Sequence, residues 1–223
     1  MNKNTFFIIL FLLPGLHLIS QTIVAPNYIL KSHETLDIVK VVRNEEGTIF
    51  QMSIRNERNE GGSFCIDENT EIIANDKSYR IQRIENIPEC PRTHKFESIG
   101  DTLTFYLYFP PIPNNTKIIN IVENCKDNCF RFVGLIIDEK LNIEMNIAFN
   151  YFESGLLSQG LLSYKNLLKK YENQEPALEG LFYFYIITIL REMDHEEEAI
   201  KWLEQFQQQN LQGSQWVHDK LSN

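Results

Sequence analysis

The chain has 223 residues, 43% of them hydrophobic, and carries 21 Lys+Arg against 30 Asp+Glu, a formal net charge of −9. Nucleic-acid binding needs a basic face to neutralise phosphates. The acidic balance, with no Lys/Arg run longer than Lys169-Lys170, excludes that class.

The N-terminus begins with one positive side chain in Met1-Asn2-Lys3-Asn4. The apolar run Phe6 to Leu13 follows, and Pro14-Gly15 breaks it ahead of Ser20-Gln21. This is the layout of a secretory signal peptide, expected over residues 1–20. A transmembrane helix needs roughly 20 apolar residues, so no span is expected once the signal is removed. The mature chain is therefore expected outside the reducing cytoplasm, in the periplasm or the extracellular space. It still has the length for one large or two small domains with buried cores.

From Tyr28 to about Ile137 the hydrophobic period is two. Thr35 to Arg43, Ile49 to Arg55, Glu71 to Ala74, Tyr79 to Ile84, Leu103 to Phe109, Lys117 to Glu123 and Phe130 to Ile137 read as about seven strands. Turn signals separate them, among them Asn44-Glu45-Glu46-Gly47 and Asn59-Glu60-Gly61-Gly62. Short strands at this spacing fit an antiparallel sandwich or barrel, and a β-sandwich is expected over residues 21–138. After Asp138 the period becomes helical, and an all-α part is expected over 139–223. Its third helix is expected near Ala177 to Arg191, its fourth near Glu196 to Gln208, and a short last one over Gln215 to Leu221.

Within the helical part, Ala148, Tyr151, Gly155, Gly160, Tyr164 and Leu167 fall at the spacing of small, aromatic, turn, small, aromatic and apolar positions in the tetratricopeptide family, which this segment resembles. A looser second copy holds Leu190, Asp194, Ala199, Leu203 and Phe206, and Trp216 would open a truncated capping helix. The resemblance implies antiparallel helical hairpins. It also implies a ligand-facing surface on the first helix of each pair, here Asn142, Met145, Phe149, Phe152, Phe184, Thr188 and Arg191. The alternative is that these side chains pack against the β part. The segments Ser78 to Ile81, Gly100 to Phe105, Phe109 to Pro113 and Phe130 to Gly134 resemble exported β-sandwich domains of Bacteroides-type bacteria, a resemblance that implies no activity.

The four cysteines, Cys65, Cys90, Cys125 and Cys129, read as two disulfides in an exported chain. Of three pairings, Cys125–Cys129 across the turn NCKDNC and Cys65–Cys90 are favoured. The competing reading is a Cys₃His zinc site built from Cys90, His94, Cys125 and Cys129. His195 opens an acidic run that fits a helix N-terminus better than a metal site. No cofactor motif is found in the sequence. The composite expectation is a non-enzymatic exported binding or scaffolding module for proteins or peptides of the cell envelope. An accessory subunit or chaperone of a secretion or surface-assembly machine is the first alternative. A hydrolase acting on glycans or peptides through scattered carboxylates is the second.

Overall fold

A computed structural model describes residues 20–59, 61–126, 128–174, 176–209, 211, 217 and 221. The expected signal peptide lies outside these residues except for Ser20, and so does Trp216. Among the described residues, twelve strands precede four helices of several turns. The strands are β1 (Gln21–Val24), β2 (Leu30–Lys31), β3 (Leu36–Arg43), β4 (Thr48–Arg55), β5 (Ser63–Phe64) and β6 (Glu71–Ala74). They continue with β7 (Lys77–Arg80), β8 (Arg83–Glu85), β9 (His94–Lys95), β10 (Thr102–Phe109), β11 (Ile118–Val122) and β12 (Arg131–Ile136). The helices are α1 (Glu139–Glu153), α2 (Leu157–Tyr171), α3 (Pro176–Glu192) and α4 (Glu196–Gln209).

One five-stranded sheet runs β1-β3-β4-β10-β8 and a second runs β2-β12-β11-β6-β7; β5 and β9 form a separate pair. All these ladders are antiparallel. Alternation places Phe50, Met52, Phe105 and Leu107 from the first sheet in one core with Ile72, Ile121, Phe132 and Leu135 from the second. Two sheets facing each other across a shared apolar layer make a β-sandwich.

The run Tyr79 to Ile84, read from its alternation as one strand, is two. Its first half, β7, pairs with β6 in the second sheet, and its second half, β8, pairs with β10 in the first. Between them the amide of Ile81 donates to the carbonyl of Thr70 and that of Gln82 to the carbonyl of Tyr108, so the chain changes sheets within two residues. Period two continues through such a corner, which is why the sequence pattern conceals it. The short strands β1, β2, β5 and β9 carry too few residues to show a period.

The helices follow from the sandwich without a linker. Asp138 caps α1, its carboxylate accepting the amide of Leu141 at 2.7 Å. Gly160 lets α2 approach α1 closely, since a Cβ there would lie 3.3 Å from the backbone nitrogen of Phe152 and 3.4 Å from Ile189. Helix α3 is buried on most of its surface, with Leu178, Phe182, Tyr183, Ile186, Ile187, Ile189 and Leu190 all at or below 1% exposure. A helix apolar nearly all round must sit at the centre of an array. Its cover comes from α2 and α4 and from Val217 and Leu221, which are themselves helical and buried.

The junction between sandwich and helices is polar and buried. Arg43, at the end of β3, is 6% exposed. Its Nη1 donates to the carbonyls of Ile137 (2.8 Å) and Thr116 (3.3 Å) and to Gln21 Oε1 (3.2 Å), and its Nη2 to the carbonyl of Pro113 (2.9 Å). Burial lowers the guanidinium's pKa, and the nearby Asp138 carboxylate works the other way. A second bracket joins Asn27 to α1: its amide hydrogen is accepted by Asn142 Oδ1 at 2.7 Å, and its Nδ2 donates to Asn142 Oδ1 and Asn146 Oδ1. Replacing Arg43 by Met keeps an apolar stem but strands the carbonyls of Ile137 and Thr116 and leaves that of Pro113 with only the Thr116 amide. The expected loss is about 3–5 kcal/mol of unfolding free energy, read by urea denaturation, with Arg43→Lys in between.

Candidate functional site

The seven residues placed on a ligand-facing surface by the tetratricopeptide resemblance divide into three groups. Asn142 and Met145 are 4% and 3% exposed and do not face solvent. The loop carrying Asn27 occupies their side of α1, so the sandwich takes the place where a ligand would rest. Phe149, Phe152 and Phe184 are half-buried. Their rings gather round Tyr185, with Phe149 6.1 Å, Phe152 5.8 Å and Phe184 5.4 Å from its ring, and Phe149 also meets Phe152. Tyr185 in turn stacks on Tyr164 at 4.5 Å with 6° between the planes. The aromatic excess of the helices is thus largely internal packing around α3. Thr188 and Arg191 are also half-buried, and Arg191 Nη1 donates to the carbonyl of Leu221 at 3.1 Å.

Apolar side chains do reach solvent on the opposite side of α1. Ile143 and Ile147, one turn apart, are 51% and 47% exposed. Ile147 borders a groove of about 250 Å³ between α1 and α2, lined also by Ser163, Asn166 and Leu167 and bridged by the Glu144–Lys170 ion pair at 2.5 Å. Sequence reasoning missed this surface because Ile143 and Ile147 differ in no local signal from the buried apolar residues beside them.

The far end of the sandwich carries both disulfides. Strand β12 runs from Cys129 and Phe130 toward α1, and β11 returns from the helical end to Glu123 and Cys125, which fixes these residues opposite the Arg43 junction. Cys65 is bonded to Cys90 and Cys125 to Cys129, as the favoured pairing had it. With all four sulfurs in disulfides, no thiolate remains for the Cys₃His zinc reading, and His94 instead packs edge-on against Phe96 at 4.8 Å. The bond from Cys65 anchors β5 at its C-terminal end. Phe64 plugs the open end of the core, its ring 6.2 Å from Phe105 and 6.4 Å from Phe130.

Two clefts meet at β5 and share Ser63, Phe64 and Asn128. The first, of about 430 Å³, has Ile54, Phe64 and Phe96 as apolar walls, Arg55, Arg58 and His33 as basic ones and Glu57 as an acidic one. Asn56 braces it: Nδ2 donates to the carbonyls of Arg58 (3.1 Å) and Ser98 (2.8 Å), and Oδ1 accepts the amide of Arg58. Any Cβ at position 62 would collide with the Asn56 side chain, so only Gly62 lets the loop pass. The second cleft, of about 500 Å³, is bounded by Cys65, Cys90 and Cys125 and by Glu123. Glu123 is a structural pin: one oxygen accepts the amide of Asp67 at 2.8 Å and the other that of Phe130 at 3.1 Å.

No protein-family model, curated protein or solved structure matches the chain. Among the described residues no helix is long and apolar enough to cross a membrane.

Two outcomes follow at the disulfide end. Cys65–Cys90 spans 25 positions and Cys125–Cys129 only 4. Removing the first with paired alanines is expected to lower stability by roughly 3 kcal/mol, and removing the second by less, in denaturant titrations. Burial raises the pKa of Glu123 above its ordinary value, against the pull of its two backbone donors. The folded state therefore holds this proton at a pH where the unfolded chain, at about 4.3, has lost it. Its stability contribution is full below that value and falls as pH rises through the raised one. Stability measured against Glu123→Gln should decline with pH across this window; a rising difference would contradict the assignment.

Proposed function

We propose that the protein is an exported, non-enzymatic scaffolding module, with its helical array as the surface presented to proteins of the cell envelope. The observation that carries this reading is the Ile143–Ile147 pair, exposed beside the α1/α2 groove on an array that the Arg43 and Asn27 brackets tie to the sandwich. An apolar stripe on a rigid helix pair, flanked by an ion pair, has the make-up of a modest interface core with a polar rim. The two disulfides are consistent with export.

The test is affinity purification of the tagged protein from the envelope of its own cells, with Ile143→Asp/Ile147→Asp alongside. A stoichiometric protein captured by the wild type and reduced at least tenfold by the double variant supports the reading. Both changes are at exposed sites, and thermal unfolding checks that the fold is intact. Capture that the variant leaves unchanged, or no stoichiometric partner, overturns it.

A further inference from the structure

The strand edge at the disulfide end is open. Ser63 pairs with Lys95 and Phe64 with His94, and the amide of Phe96 donates to the carbonyl of Gly62 at 2.9 Å. Antiparallel ladders alternate the direction of their main-chain groups. The N–H and C=O of Ser63 therefore point away from β9, and β5 has no other strand beside it among the described residues. Ser63 also borders both clefts, so its free edge opens onto them.

The first cleft sets two arginines, Arg55 and Arg58, against one carboxylate, Glu57, in a chain whose formal net charge is −9. Neither the Arg55 nor the Arg58 guanidinium donates a hydrogen bond or forms an ion pair with any described residue. Arg92 and Arg131 share this state, whereas Arg43, Arg80, Arg83 and Arg191 are engaged. Guanidinium groups match carboxylates in planar, two-point geometry. Phe64 and Phe96 line the same cleft as these arginines and Ser63 and offer it an apolar floor.

We infer that this end of the sandwich binds an extended peptide by its C-terminus, on a surface separate from the helices. The peptide adds as a third strand to the Ser63 edge and sets its terminal carboxylate between Arg55 and Arg58. It rests an apolar last side chain on Phe64 and Phe96. Main-chain pairing supplies affinity and the carboxylate fixes the register, as in other strand-addition complexes. The disulfide at Cys65 and the Asn56–Gly62 contact hold the edge in place before the peptide arrives, which lowers the ordering penalty on binding.

The test uses the full exported chain and N-terminally labelled hexapeptides ending in Leu or Phe, read by fluorescence anisotropy. Peptides with a free carboxylate should bind, their amides at least tenfold more weakly, and Arg55→Ala/Arg58→Ala should abolish that difference. Affinity should fall as salt is raised. Scanning N-methylation along the peptide should weaken binding at alternating positions, a measurement that does not depend on any variant folding. Equal binding of acid and amide, or silence of both, overturns the inference. Uniform tolerance of N-methylation overturns the strand addition. Binding of a labelled oligogalacturonate with the peptides silent would overturn the peptide and assign the cleft to acidic glycans instead.

Discussion

A single buried guanidinium organises this molecule. Arg43 sits where the last residue of β3, the loop before β11 and the chain leaving β12 converge, and it serves carbonyls from the latter two together with the side chain of Gln21. The carbonyls of Thr116 and Ile137 flank the ends of β11 and β12, and that of Pro113 belongs to the turn that leads into β11. A cation with five donors in a fixed plane can satisfy several such groups at once, which no neutral side chain of similar size can do. Desolvating the charge is expensive, and the carbonyl dipoles together with the field of Asp138 offset that penalty. Asp138 is also the N-cap of α1, so the group that helps to hold the arginine's charge also starts the first helix.

The helical array obeys a different logic. Its stability centres on α3, whose side chains are shared among all its neighbours, and the aromatic ladder Tyr164–Tyr185–Phe152–Phe149 fills the space between α1, α2 and α3. Small residues at Ala148 and Gly160 let the backbones approach while the large rings fill the gaps beside them. The turns between helices are fixed locally as well: the Glu179 carboxylate reaches back to accept the amide of Asn173, whose φ is +60°. Charge at the start of α4 is held by Lys165, which lowers the pKa of Glu198 through their hydrogen bond and ties α2 to α4.

How much of this could be read in the sequence depended on whether the signal was local. Alternation marked the long strands because each buries one face, and the helix starts at Asp138 and before Glu196 carried their own capping and charge patterns. The cysteine pairing followed from loop lengths and compartment. The sheet change at Ile81–Gln82 was invisible because period two survives a corner. The role of Arg43 was invisible because a strand-terminal arginine ordinarily points into water. The helical aromatics misled because their number was compared with one buried face, whereas α3 has several. Arg55, Arg58 and Ser63 carry no motif at all, and only the fold brings them to one edge.

Strand β12 has a mechanical consequence. Its six residues lead from the loop closed by Cys125–Cys129 to the start of α1, about 20 Å at strand rise, with one bulge in the pairing with β11. Both ends of that strand are clamped, one by covalent sulfur and one by the Arg43 and Asn27 brackets. Tension applied between the two ends would load the β11–β12 ladder along its length, in shear, so several hydrogen bonds would have to fail together rather than one after another. The molecule is thereby suited to serve as a ruler of fixed length, keeping whatever is held at its disulfide end at a set distance from whatever meets its helices.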